Sequence, residues 1–106
     1  MTSYFIETSA NAAIDDLYAY TLERWGEEQA RKYMSGLFAR FNDIDTKKVL
    51  WRPVPLAFGI EAWVIRYEHH YVYWKQLEDG RVGIMAVLHE RMHQAARLAE
   101  LGDDEE

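Results

Sequence analysis

Five consecutive residues, His89-Glu90-Arg91-Met92-His93, match the pattern with which zinc hydrolases hold their metal. That chemistry needs both imidazoles on one face of a continuous helix, the glutamate aimed at a metal-bound water, and a third ligand from elsewhere. Here the run Ile84 to Leu88 has strand composition, so His89 is expected to end a strand and cannot share a helical face with His93. Ala96 and Ala99 stand where the extended motif would place glycine and histidine. A zinc hydrolase using His89, Glu90 and His93 is therefore kept only as a remote alternative. The neighbours His69 and His70 point to opposite faces if they lie in a strand, so they do not jointly ligate one metal. No serine sits on a glycine-flanked strand-to-helix elbow. The reading assigns no catalytic residue, metal or cofactor. What remains at this point of the chain is Arg91, just past a strand end, where an exposed guanidinium can bind a carboxylate or phosphate in bidentate fashion.

The elements that must position these groups follow from periodicity and turn chemistry. Ser3 to Thr8 alternates and reads as a first strand, with Ser9 as the cap of the helix that follows. Ala13, Ile14, Leu17, Thr21 and Trp25 recur at three and four residues, which predicts a helix to about Trp25, with Trp25 in the core beneath the helix joint. Asp15 and Asp16 near its amino end are expected to complement the helix dipole. Gly26 punctuates in a left-handed conformation, and a second helix from Glu27 carries Ala30, Tyr33, Met34, Leu37, Phe38, Phe41 and Ile44 on one face. Asn42 to Leu56, with Pro53 and Pro55, is the one long loop. Strand runs follow at about Gly59 to Tyr67, His69 to Gln76 and Arg81 to His89, the last two joined by a Leu77-Glu78-Asp79-Gly80 turn. Gln94 to Leu101 is read as a short final helix. The predicted fold class is α+β, in the order β-α-α-β-β-β. A helical hairpin packs on one face of a largely antiparallel four-stranded sheet.

Composition narrows the function classes. A chain of 106 residues with no cysteine is one domain without disulfides or thiolate zinc sites. No apolar window approaches the ~18 residues of a membrane span and the start lacks a signal peptide, so a cytoplasmic protein with no membrane partner is expected. The net charge is −6, but four negatives belong to Asp103 to Glu106, read as a solvated acidic tail after a single domain of residues 1–102. A near-neutral body gives no basis for direct nucleic-acid binding.

The residues in order also resemble a known family. Ala13-x-x-Asp16-Leu17-x-x-Tyr20 is followed by Arg24-Trp25-Gly26-Glu27-x-Gln29-Ala30-x-x-Tyr33. Arg52-Pro53 then precedes a Gly59 strand, with Tyr71-Val72-x-Trp74 and Val87-Leu88-His89-x-Arg91-Met92 after it. Together these resemble the ParE branch of the RelE/ParE toxin superfamily. The resemblance implies a bacterial, plasmid-stabilisation type of toxin neutralised by a cognate antitoxin in a hetero-oligomer. The target that the resemblance implies is DNA gyrase, which such a toxin would inhibit without being an enzyme. The alternative is the RelE-like activity, a ribosome-dependent messenger RNA endoribonuclease. That chemistry needs clustered Lys and Arg around a scissile phosphate. Only Arg66, Lys75 and Arg81 lie in the sheet runs, although Lys47, Lys48, Arg52, His89 and Arg91 are free to converge.

The candidate target-binding residues are Arg91, Arg52, His89 and Tyr71. Three of them have a plainer reading: Arg91 paired with Glu61 or Glu68, Arg52 a solvated loop charge, His89 a capping group. Fifteen aromatics exceed what one covered sheet face easily hides. Some of Trp51, Trp63, Tyr67, Tyr73 and Trp74 are therefore expected in an exposed groove that binds the antitoxin, with Trp63 and Trp74 suited equally to groove or core.

Overall fold

The computed structural model describes residues 4–103. In chain order the elements are β1 (Phe5–Ile6), α1 (Thr8–Trp25), α2 (Glu27–Asp45), β2 (Arg52–Pro53), a 3-10 turn (Leu56–Phe58), β3 (Trp63–Tyr67), β4 (His70–Gln76), β5 (Val82–His89) and α3 (Gln94–Asp103). The strands form one sheet in the order β1-β5-β4-β3-β2, parallel between β1 and β5 and antiparallel elsewhere. This is the expected α+β architecture with a fifth strand added, because two residues of the predicted long loop pair as an edge strand. Pro53 is tolerated there as edge strands leave one side free of ladder donors. The start of the first predicted strand and the end of the acidic tail lie outside the described residues, while Asp103 closes α3.

Glu7, not Ser9, precedes the first helix, since the Glu7 N–H donates to the Ile84 carbonyl and carries the parallel ladder one residue further. Ser9 instead donates its hydroxyl to the Met85 carbonyl at 3.1 Å. Met85 is the extra residue of a bulge: Tyr73 pairs with Ala86, yet the next residue, Trp74, pairs with Ile84. Asp15 and Asp16 fall beyond the first turn of α1 and so beyond the reach of its dipole. Gly26 joins α1 to α2 alone, with φ +90° and ψ 170°, a conformation essentially reserved for glycine, although not the left-handed helical one expected. At its other end α2 runs four residues into the predicted loop, to Asp45. Lys47 adopts φ +59°, its N–H reaches the Ile44 carbonyl and the Lys48 N–H reaches that of Asp43, which makes a Schellman motif.

Two layers of packing hold the sheet. On one face Leu37, Phe41 and Ile44 of α2 and Ala10, Ile14 and Leu17 of α1 cover Val72, Trp74 and Ile84. On the other, Leu98 of α3, fully buried, joins Val54 and Ala62 over Tyr73, Met85, Ala86 and Leu88. This second cover corrects the expectation of one bare sheet face and explains where the aromatics go. Trp25 goes the opposite way. It is 65% exposed, because the core-facing stripe of α1 stops at Thr21, one turn before the helix ends.

Gly36, inside α2, has a packing reason. A Cβ there would fall on the Tyr67 hydroxyl, which donates to the Tyr33 carbonyl at 2.9 Å, and would lie 3.1 Å from the ring carbon Cζ. Gly36→Ala gains about 1 kcal/mol of helix propensity, but crowding of this kind costs about 1–3 kcal/mol. A net loss of about 1 kcal/mol is expected in denaturant titration, shrinking toward zero when Tyr67→Phe is the background. Equal losses in both backgrounds would show that the hydroxyl is not what the glycine accommodates.

Candidate functional site

The polar groups gather where β3, β4 and β5 end together. Tyr67 pairs with His70 across a two-residue turn, Glu68-His69, and His70 pairs with His89. Glu68 takes φ +51° there without being glycine. His70 is half-buried and its Nδ1 lies 2.7 Å from the Tyr33 hydroxyl. Burial pushes the Tyr33 phenol up to about 12, with Tyr67 next in effect. Burial also pulls His70 down to about 4, helped by His89 and His69 and opposed by Glu90. At neutral pH the phenol is therefore the donor and the neutral imidazole the acceptor. The rings of His70 and His89 meet edge to face, with centroids 5.1 Å apart.

This burial has a measurable consequence. His70 in the fold takes up its proton near pH 4, whereas the unfolded chain does so near 6.5. Between those values the unfolded state binds more protons, so stability falls as pH drops from about 6.5 toward 4. Because His70 is only half-buried, solvent screening reduces the effect to about 1–2 kcal/mol. Chemical denaturation across that window should show it, and His70→Gln should flatten the curve. An unchanged slope would disprove the assignment.

Beyond β5 the chain turns sharply. The Met92 N–H reaches the His89 carbonyl at 3.0 Å, and the Gln94 side chain donates to the carbonyls of His89 and Met92, both at 2.9 Å. Its oxygen accepts the Tyr73 hydroxyl at 2.7 Å, which pins the turn to the sheet. His89 Nδ1 accepts the Arg91 N–H at 3.1 Å, and His93 Nδ1 accepts the Ala96 N–H at 3.1 Å as the cap of α3. His89 thus ends a strand and His93 begins a helix, and the shared helical face that the zinc pattern requires is not formed. Arg91 is exposed and, among the described residues, its guanidinium has no ion pair. It joins neither Glu61 nor Glu68. Glu90 beside it is occupied by Arg66 at 2.5 Å and by His69 at 3.4 Å.

The other two candidate target-binding residues, Arg52 and Tyr71, lie elsewhere. Arg52 pairs with Val64 at the opposite end of β3 from Tyr67, about 10 Å along the strand. With Tyr71 it lines an open cleft of about 520 Å³, together with Arg40, Val49, Leu50, Val64, Ile65 and Arg66. The structure therefore joins Arg91 to His89 and Arg52 to Tyr71, with Arg66 between the pairs: its guanidinium lies 5.9 Å from the Tyr71 ring centroid and bonds Glu90. Arg66 and Arg40 are absent from the residues expected to bind target or antitoxin, and Glu90 enters the sequence reading only through the zinc pattern. Arg66 stands opposite Tyr71 because of the two-residue Glu68-His69 turn, which no glycine or asparagine marks in the sequence.

Of the aromatics expected in a groove, Trp74 is fully buried and Tyr73 is 3% exposed, so neither is available to a partner. Trp74 lies beneath α2 and beside Trp51 (centroids 5.6 Å), and Tyr73 lies under α3. Trp51, Trp63 and Tyr67 are partly exposed along the β3 edge. Trp51 packs at a tilt of 52° against Trp63, with centroids 5.4 Å apart, donates to the Ile44 carbonyl at 3.2 Å and carries Lys47 over its ring at 5.3 Å.

Among the described residues no group of three or more His, Cys, Asp or Glu is placed to hold a metal, and no helix is long and apolar enough to cross a membrane. Fold and site together define a small α+β domain whose charged groups face outward at a pinned turn and at a sheet edge. The model of the family described as ParE toxin of the type II toxin-antitoxin system, parDE, matches residues 4–94, and the chain belongs to that family. It is 29% identical over 100 residues to Toxin ParE of Escherichia coli, covering 94% of this chain and 96% of that protein. Its fold is similar to a solved chain from the chromosomal ParDE system of P. aeruginosa, with TM-score 0.66 and 15% identity. That match covers 84% of this chain and 96% of the other.

Proposed function

We propose that this ParE-type toxin inhibits DNA gyrase in the bacterial cytoplasm when freed from a cognate antitoxin, with Arg91 and His89 forming the contact to the target. The observation that carries the reading is the Arg91 guanidinium, exposed and without an ion pair among the described residues, on a turn that His89 and Gln94 hold in place. An unpaired, pre-positioned guanidinium is suited to binding a carboxylate on another protein. The surrounding groups argue against cleavage chemistry: Glu90 neutralises Arg66, and His70 is too weak a base at neutral pH to take a proton. Arg52 and Tyr71, on the other edge, are assigned with Trp51, Trp63 and Tyr67 to the antitoxin.

The test is to add the pure protein to gyrase and to follow both supercoiling and trapped cleavage complexes. Inhibition is expected. Unaffected gyrase, with codon-periodic cuts in messenger RNA on ribosomes, would replace this reading with the ribonuclease one.

A further inference from the structure

Among the described residues the cleft at the β2–β3 edge is lined by three arginines and no carboxylate, in a chain whose net charge is −6. It exists because β2 is short. Arg52 and Pro53 pair with Val64 and Trp63, and Val49 and Leu50, which precede them in the chain, line the cleft without pairing to β3. Peptide groups alternate sides along a strand, and the Ala62 carbonyl faces β2, where it accepts the Val54 N–H at 2.9 Å. The N–H and C=O of Arg66 therefore face the same edge, past the end of β2, with no strand of the described residues beside them. Val49, Leu50, Val64 and Ile65 form the apolar walls, and Leu50 is 71% exposed.

We propose that this cleft is a docking slot for an extended, acidic-aliphatic segment of a protein partner. The proposal deepens the reading of antitoxin control given above and rests on it for the partner's class. The segment would add its backbone beside Arg66, lay aliphatic side chains against Leu50 and Ile65, and place carboxylates on Arg52 and Arg40. Arg52 has no ion pair among the described residues. Arg40 holds Asp43 only loosely, at 3.6 Å, and Arg66 is fixed by Glu90. A nucleic acid fits less well. Among the described residues Tyr71 is the one ring lining the cleft and Arg66 already covers it, while the acidic chain as a whole repels a polyanion.

The probe is an N-acetylated peptide of about eight residues alternating glutamate with valine. It is titrated into the intact protein by fluorescence anisotropy, with amide exchange at Arg66 followed by NMR. Saturable binding is expected, with slowed exchange at Arg66 and a loss of about tenfold or more in affinity on Arg52→Glu or Arg40→Glu. Arg91→Glu should leave binding unchanged. Thermal melts establish that each variant is folded. Absent binding, binding indifferent to Arg52→Glu, or tighter binding of a single-stranded oligonucleotide of equal charge would overturn the proposal. Failed peptide binding with gyrase still inhibited would remove the slot alone, whereas peptide binding without any effect on gyrase would remove the target reading alone.

Discussion

Replacing Trp74 by alanine is expected to lower the free energy of unfolding by about 3–5 kcal/mol, the range for removing a large aromatic from a packed core. Its ring is fully buried, packs edge-on against Trp51 at 5.6 Å, and lies in the cluster formed with Phe41, Ile44 and Ile84. A domain of this size has about 5–15 kcal/mol in total, so Trp74→Ala should bring a fall in Tm of more than about 12 °C. Trp74→Phe separates packing from polarity. The indole Nε1 is buried without a hydrogen-bond acceptor among the described residues, a defect costing about 1–3 kcal/mol. Phenylalanine loses some area but removes that unpaired donor, so its net cost is expected below about 2 kcal/mol. Urea titrations of the two variants decide it. Equal costs for the two would show that the unpaired indole nitrogen is not a liability.

The same residue shows where sequence reading stops. Periodicity placed α1, α2 and the three long strands because each has a repeating apolar face, and Asp79-Gly80 marked its turn because Gly80 takes φ +88°. A face is legible; what covers it is not. Trp74 and Tyr73 alternate across β4 and both looked free to leave the core, since nothing in the residues after Met92 showed that Leu98 would bring α3 onto the second sheet face. Trp25 misled in the opposite sense. It lies on the stripe of Ile14 and Thr21, but the spacing of a stripe does not reveal where the surface beneath it ends.

The site divided along a similar line. His89 as a strand end and Arg91 just beyond it were readable, because a β-branched and aliphatic run stops there and the pattern leaves little room for a helix. The arginine cleft was not readable. Arg40, Arg52 and Arg66 come from a helix, an edge strand and a central strand, and only the early end of β2 brings them to one opening. The Glu68-His69 turn hid for a local reason: a glutamate at φ +51° carries none of the glycine or asparagine signal by which such turns are recognised.

Arg91→Ala is expected to weaken gyrase inhibition by about thirtyfold or more while leaving the fold intact. Truncating one partner of a charged contact that becomes buried at an interface costs about 2–5 kcal/mol, and the lower figure alone corresponds to that factor. The free protein has little to lose, because the Arg91 side chain is exposed and pairs with no carboxylate among the described residues. Substitutions at such positions usually change stability by less than about 0.5 kcal/mol. The turn itself is held by the Arg91 backbone N–H on His89 Nδ1 and by Gln94, none of which the alanine removes. Arg91→Lys should recover only part of the activity if the contact is bidentate, since an ammonium keeps the charge but not the planar fork. Supercoiling assays over a concentration series, read beside thermal melts, provide the check. Full inhibition by a folded Arg91→Ala protein would show that the guanidinium does not touch the target, and would move the contact away from the end of β5.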